Sequence, residues 1–207
     1  MKIAVLNFAD SGIYDYAKYT IPIMSKWCML NGYQYILHSD TDSPWDKPWN
    51  KIFMLQKYLS YFDVCVVLDA DIYIANKNLK IENLLEKYSK PLLACDDTPN
   101  GGTINTGSIV VRNCDWSINF LNLVEKMGTE LRKENRFYWE QDCIAHLYAE
   151  KSDVRENIEV MPINSLNSHW LDCDNLERDF DIYHVMARPL HEKVEKIIQL
   201  SRRFPDA

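Results

Sequence analysis

Val64-Cys65-Val66-Val67-Leu68-Asp69-Ala70-Asp71-Ile72-Tyr73-Ile74 is the stretch on which the reading of the fold turns. Five apolar residues run into two acids, and further apolar residues follow. A continuous Val-rich run of this kind reads as a strand buried on both faces of a sheet, since a strand with one wet face would alternate. Bare carboxylates are costly to bury. Either a cation sits beside Asp69 and Asp71, or the strand opens there into a cleft. Open α/β sheets bind ligands outside the carboxyl ends of their strands, and hard oxygen ligands suit Mg²⁺ or Mn²⁺, which can bridge a diphosphate. The plainer reading makes both acids turn and cap residues. The hydrophobic run before them and their mid-chain position favour the functional one. In a fully extended strand the two positions lie ~7 Å apart, so joint chelation requires the chain to bend at Ala70.

Outward from this stretch, strands and helices alternate. Towards the N-terminus lie a helix from about Trp49 to Tyr61, with Ile52, Leu55, Leu59 and Phe62 inward, a polar loop from Ser39 to Pro48, and a strand from Tyr33 to His38. Before these, Lys2 to Phe8 reads as a strand. Asp10 or Ser11 can cap a helix with Tyr14, Ala17, Ile21, Met24 and Cys28 on its apolar face. That helix ends near Gly32, and Pro22 is expected to kink or divide it.

Towards the C-terminus come a short helix around Leu79 to Tyr88 and a strand from Pro91 to Cys95. The segment Thr98 to Gly107 holds three of the six glycines, Gly101, Gly102 and Gly107. It is either backbone that approaches a ligand or a plain hairpin loop. A strand over Ser108 to Arg112, helices over Trp116 to Met127 and Glu140 to Ala149, and a strand over Ile158 to Pro162 follow. A polar loop (Asn164 to Asp174), a short strand (Ile182 to Met186, with His184 inside) and a helix (Leu190 to Arg203) complete the chain. The expectation is an α/β fold with a mostly parallel central sheet flanked by helices.

With 207 residues, one domain is expected. A net charge of −7 argues against a general nucleic-acid surface, and a protein of that sign needs local basic groups or a metal to hold an anionic ligand. The N-terminus does not read as a secretion signal, and no apolar run reaches transmembrane length. The six cysteines are scattered singly, which suggests packed thiols in a reducing, cytoplasmic setting. The end of the chain, Arg202 to Ala207, is linker-like and suggests a domain excised from a longer polypeptide.

Taken in order, Trp49-Asn50-Lys51, Val66-Val67-Leu68-Asp69-Ala70-Asp71, Asn105-Thr106-Gly107, Glu140-Gln141-Asp142 and Tyr183-His184 resemble metal-dependent glycosyltransferases of the GT-A fold. Their spacing is similar to that of the galactosyl-, xylosyl- and mannosyl-transferase family of plants and yeasts, more distantly to glycogenin, and over nearly the whole chain to N-terminal domains of chlorovirus-encoded glycosyltransferases. The resemblance implies a Rossmann-like GT-A domain, with a nucleotide-binding half of about 1–75 and a donor-sugar and acceptor half of about 76–207.

It further implies transfer of a hexose from a nucleoside-diphosphate sugar, UDP-linked by preference, to a glycan or glycoprotein acceptor, with Mn²⁺ or Mg²⁺ acting on the diphosphate. Residue by residue, Asn7, Phe8, Ala9, Asp10 and Tyr14 fall where the nucleobase is held, with Lys51 and Asp69 at the rest of the nucleotide. Asp69, Asp71 and His184 match the metal ligands. Asn105, Thr106 and Gly107 line the donor sugar, and Glu140, Gln141 and Asp142 fall beneath its reacting carbon. One departure stands out: relatives carry His-Phe-x-Gly where this chain has His184-Val185-Met186-Ala187.

Read without the resemblance, several of these residues have ordinary roles. Lys51 is a solvated first-turn lysine, Glu140 and Asp142 are helix-start acids, Asn105 is a turn residue and His184 a core histidine. Trp45, Trp49, Trp139 and Trp170 suit either packing or stacking on an acceptor. Two rival functions remain. One is a haloacid-dehalogenase-like phosphatase with Asp69 as nucleophile, although its motif would follow the first strand. The other is a non-catalytic nucleotide-sugar-binding module.

Overall fold

The computed structural model describes residues 1–39, 45–134, 138–175 and 179–205, so residues 40–44 of the expected polar loop lie outside the described part. In chain order the elements are β1 (Ile3–Phe8), α1 (Tyr14–Asn31), β2 (Gln34–His38), α2 (Asn50–Tyr58), β3 (Val64–Leu68), β4 (Ile72–Ile74), α3 (Ile81–Lys87) and β5 (Leu92–Asp96). They continue with β6 (Ile104–Arg112), α4 (Asp115–Lys133), α5 (Glu140–Glu150), α6 (Ser152–Asn157), β7 (Ile158–Met161), β8 (Ile182–His184) and α7 (Leu190–Arg203).

The central sheet has the order β2-β1-β3-β6-β5-β7. β1 is parallel to β2 and β3, and β5 is parallel to β7, while β6 runs antiparallel to both neighbours. The sheet is therefore mostly parallel, as the alternation of elements predicts. β3 lies in its middle and all five of its residues are buried. Cys65 and Val67 face the layer built from α2, α4 and α5, where Trp49, Leu55, Val124 and Ile144 pack. Val64, Val66 and Leu68 face α1 and α3, against Met24, Trp27 and Ile81. Helices on both faces leave no wet side, which is why this strand has no polar alternation.

β4 does not continue that sheet. It pairs antiparallel with β8 as a separate two-stranded sheet, with Ile72 opposite His184. The expected bend at Ala70 is thus a change of sheet. A third apolar cluster joins this small sheet to α1 and α7 through Ala17, Tyr73, Tyr183, Ile197 and Leu200.

Some expectations shift. Pro22 lies inside a single 18-residue α1 and does not divide it. The buried face of α1 is Tyr16, Ala17, Thr20, Met24, Trp27 and Cys28, leaving Tyr14 exposed. Thr98 to Gly107 resolves into a 3-10 turn, Thr98–Asn100, and the first residues of β6. It is a hairpin connection whose second half runs along the site. Among the described residues no helix is long and apolar enough to cross a membrane.

Gly32 ends α1 in the left-handed conformation (φ 73°), its N–H returning to the carbonyls of Cys28 and Met29. Gly32→Ala should therefore lower stability by ~1–2 kcal/mol, the cost of that conformation for a residue with a Cβ. The midpoint of urea unfolding measures it, and an unchanged midpoint would mean that the cap does not hold this helix end.

Candidate active site

The carboxyl ends of β1, β3 and β5 meet at one edge of the sheet, and the start of β6 runs between the last two. Asp69 N–H donates to Gly107 O (2.7 Å), Ile72 N–H to Asp69 O (3.1 Å), and Val185 N–H to Asp71 O (3.0 Å). From α1, the Thr20 hydroxyl donates to Ala70 O at 2.6 Å. The backbone of Asp69-Ala70-Asp71 is thus tied to β6, to the chain after β8, and to α1. This turn aims both carboxylates at His184, and ligand atoms of Asp69, Asp71 and His184 all lie within 4.8 Å of one another. Pairing of β4 with β8 is what closes the long separation in sequence. Gly107 is required for it: a Cβ there would fall inside the His184 ring.

Hydrogen bonding fixes the tautomer of His184. Asn167 Oδ1 accepts from Ser168 N–H (2.8 Å), and Asn167 Nδ2 donates to Asn105 Oδ1 (2.7 Å), so the amide has one orientation. His184 Nδ1, 2.9 Å from the same Asn167 oxygen, must be the protonated nitrogen. In the neutral ring, Nε2 then presents a lone pair 3.2 Å from Asp71 Oδ1 and 3.8 Å from Asp69 Oδ2. Three acceptors converge on one point, an arrangement that repels itself until a cation or a proton enters. Two carboxylates and a neutral imidazole held by a neighbouring amide form a donor set that fits a divalent ion.

Two lysines flank this point. Lys51 Nζ lies 3.0 Å from Asp69 Oδ1, 3.0 Å from Glu140 Oε1 and 3.2 Å from Thr106 O. Lys193 Nζ lies 2.5 Å from Asp71 Oδ2. Burial pushes the Asp71 carboxyl upward, but His184, when its ring carries both protons, and Lys193 outweigh it and hold the group well below the usual carboxylate range. At Asp69 burial prevails, helped by the charge of Asp71, and the group is raised despite Lys51. Burial of Lys51 favours its neutral form, yet Asp69 and Glu140 more than compensate and keep it protonated.

Behind Lys51 lies the group expected at the donor sugar. The buried Glu140 accepts from the Thr106 hydroxyl (2.9 Å), and its Oε2 has no partner among the described residues. Gln141 Oε1 accepts from Thr106 N–H at 3.0 Å, which directs its Nε2 to Asp97 Oδ2 at 3.4 Å. Asp97 also accepts from Asn105 Nδ2 (3.0 Å). Asn105, Thr106, Gly107, Glu140 and Gln141 therefore form one connected network with Lys51 and Asp69.

Asp142 stands apart. It is exposed and accepts from Trp139 N–H (3.0 Å), capping the first turn of α5. Its three-residue spacing from Trp139 serves the helix start, as its ordinary reading has it.

On the nucleotide side, a cleft of ≈ 200 Å³ is lined by Phe8, Tyr16, Lys47, Lys51, Asp69 and Asp71 among others. Asn7 is buried beneath it, donating to Leu68 O (2.7 Å) and accepting from the Tyr35 hydroxyl (3.1 Å), so it joins β1 to β3. Ala9 is buried, and Asp10 is ion-paired with Lys47. Tyr14, 60% exposed, does not line the cleft; Tyr16 does, two residues later.

Sequence reasoning missed Tyr16, Lys47, Asn167 and Lys193. Lys193 has no signal in the sequence beyond its place on an amphipathic helix. Of the tryptophans, Trp45 and Trp49 pack on each other (4.6 Å between centroids) and under Arg132, whereas Trp139 and Trp170 are exposed.

The fold has counterparts among known proteins. A family model described as "Protein of unknown function, DUF273" matches residues 24–189. No curated protein matches the sequence. Among solved structures, the fold is similar to a glycosyltransferase involved in the glycosylation of the major capsid of PBCV-1, with a TM-score of 0.79 at 19% identity over 96% of this chain and 100% of that one. It is also similar to the glycosyltransferase GlyE of Streptococcus pneumoniae TIGR4 (TM-score 0.66, 14% identity, 99% of this chain and 63% of that one). A third is the galactosyltransferase LgtC in complex with donor and acceptor sugar analogs (0.59, 10%, 99% and 97%). At these identities the likeness is one of fold, and the fold is GT-A.

Two substitutions test this geometry. Gly107→Ala should drive the His184 ring from its seat and cost ~1–3 kcal/mol as an overpacked site, read from the urea midpoint; an unaltered midpoint would mean that His184 is not seated on β6. Asp142→Ala should lower stability by ~0.3–1.5 kcal/mol as a lost cap. A variant of full stability that had lost activity would return Asp142 to the site.

Proposed function

The chain belongs to the DUF273 family, whose function is unknown, and from its GT-A fold and the cleft at its sheet edge we propose that it is a metal-dependent glycosyltransferase acting on a nucleoside-diphosphate hexose. The observation that carries this reading is the convergence of Asp69, Asp71 and His184 Nε2 on one another, beside a cleft that reaches Lys51. The three residues would hold Mn²⁺ or Mg²⁺, the nitrogen ligand favouring Mn²⁺. When bound, the ion acts as a Lewis acid on the charge that builds on the departing diphosphate.

The chain's own groups divide the remaining work. Lys51 stays protonated between Asp69 and Glu140 and adds a second fixed positive charge at the edge of the cleft. Tyr16 and Phe8 offer apolar walls to a nucleoside, and UDP is the favoured diphosphate from the resemblance of the loop after β1 to uracil-binding loops. Glu140, 3.0 Å from Lys51 Nζ, would supply the carboxylate that an oxocarbenium-like carbon gains from. Gln141, pinned through Thr106 and Asp97, positions the far side of the sugar. A glycan or glycoprotein acceptor accords with the capsid glycosylation named for one fold neighbour and the acceptor sugar analog named for another. A phosphatase using Asp69 is disfavoured, because its motif would follow the first strand and here it follows β3, with Asp69 engaged by Lys51.

A ligand that binds only the folded state raises the apparent melting temperature. UDP-sugars with Mn²⁺ should do so, and in calorimetry UDP should bind at least ~10-fold more tightly than GDP; equal affinities would sink the uridine assignment. His184→Ala should remain folded and lose the Mn²⁺-dependent part of UDP binding. Glu140→Gln should lower turnover by ~10²-fold or more with donor affinity nearly kept, the pattern of a group that acts in the transition state. Donor binding without transfer to any of a wide range of acceptors, or hydrolysis, would favour the non-catalytic module.

A further inference from the structure

Lys193 has no part in the reading above, yet it touches the centre of the site. Of the four carboxylate oxygens on Asp69 and Asp71, three lie at 2.5–3.1 Å from an ammonium group: both on Asp69 from Lys51, and Oδ2 of Asp71 from Lys193. The fourth, Asp71 Oδ1, faces His184 Nε2.

The two lysines are held differently. Lys51 is fixed by Asp69, Glu140 and the Thr106 carbonyl. Lys193 has one carboxylate partner among the described residues, Asp71, and otherwise only the ring of Tyr16, 5.4 Å away. It also sits in the first turn of α7, its N–H donating to Pro189 O at 3.0 Å. There the helix dipole opposes a cation, so its position answers to Asp71 and not to its own helix.

Charge then decides what can enter. The carboxylates of Asp69, Asp71 and Glu140 against the ammonium groups of Lys51 and Lys193 leave one net negative charge. A divalent ion arriving alone turns that into one net positive charge and must also meet an ammonium already on Asp71. An ion arriving with a doubly negative diphosphate leaves the balance as it was.

We propose that Lys193 is a tethered counter-cation that competes with the divalent ion for Asp71, so that metal and donor diphosphate bind as a coupled pair. This rests on the metal reading of the preceding section. It adds that the free protein holds metal weakly by design of α7, and that the diphosphate, which gives the ammonium somewhere else to go, restores the affinity. Coupling of this kind is reciprocal: whatever UDP does for the ion, the ion does for UDP.

The test is Mn²⁺ binding to the full chain, followed through the electron paramagnetic resonance of the free ion, with and without UDP. Wild type, Lys193→Met, Lys193→Gln, Lys193→Arg and Asp71→Asn are compared, each checked for folding by circular dichroism. Without UDP, Lys193→Met and Lys193→Gln should bind Mn²⁺ about 10-fold or more tightly than wild type, a size ordinary for coupled sites. Lys193→Arg, which keeps the charge, should resemble wild type, and the gain in Mn²⁺ affinity on adding UDP should shrink in the two neutral variants. Neutral variants that bind free Mn²⁺ no better than wild type, while UDP still promotes binding in all of them, would overturn the inference and leave Lys193 a residue that merely orders Asp71. Wild type that binds no Mn²⁺ even with UDP, as Asp71→Asn is expected to do, would overturn the metal reading itself.

Discussion

Carboxylates cannot be taken out of water without a partner, and this chain places three of them, on Asp69, Asp71 and Glu140, against one another at the end of a fully buried strand. Most of the architecture around the sheet edge answers that constraint. α2 delivers Lys51 from one side, α7 delivers Lys193 from the other, and β8 brings His184 from below. None of these elements is needed to complete the central sheet. Removing one partner of a buried pair such as Lys193–Asp71 costs ~3–5 kcal/mol in typical cases because the other charge is stranded. The same arithmetic shows why the site is poised for ligands: charges assembled at such cost do little for stability that an apolar core could not do better.

The central sheet makes this assembly rigid. β6, antiparallel to both neighbours, runs back between β3 and β5, and its first four residues include Asn105, Thr106 and Gly107. Each has a distinct task. Asn105 bridges Asp97 and Asn167, Thr106 holds Gln141 and Glu140, and Gly107 makes room for His184. A strand can perform three tasks with three consecutive residues because its side chains alternate in direction while its backbone still donates and accepts. The His184 ring and the Glu140–Gln141 pair are thereby both seated on one element.

Much of this was legible in the sequence because it follows from patterns with a physical period. The buried β3, the Gly32 helix end and α7 from Leu190 to Arg203 all stand as read, and the bend at Ala70 followed from the reach of two carboxylates on an extended chain. What failed to read was long-range or rotational. Tyr14 and Tyr16, two residues apart, lie on different faces of α1, and which of the two faces the core is decided by packing beyond the helix itself. Asp142 shares a helical turn with Glu140, yet α5 aims one into the core and the other into solvent. Lys193 and Asn167 are ordinary polar residues until the β4–β8 pairing brings their segments to Asp71 and His184. His184 itself was assigned through resemblance, and its tautomer depends on an amide that only the fold reveals.

The departure at Ala187 shows how such a site tolerates a changed residue. Glycine is the residue that enters the left-handed region without cost. Ala187 adopts that region all the same, with φ 54°, the one positive value at a residue other than glycine among those described. A side chain there costs ~1–2 kcal/mol, and such strain persists only where the surroundings over-determine the backbone. Here they do. Val185 N–H is fixed to Asp71 O on one side, and on the other Arg188 is held by Trp170 O and the Asp174 carboxylate. The turn between them must close in that conformation whichever residue occupies it. It is also the segment that joins the histidine to α7, so the strain at Ala187 lies on the short path between His184 and Lys193.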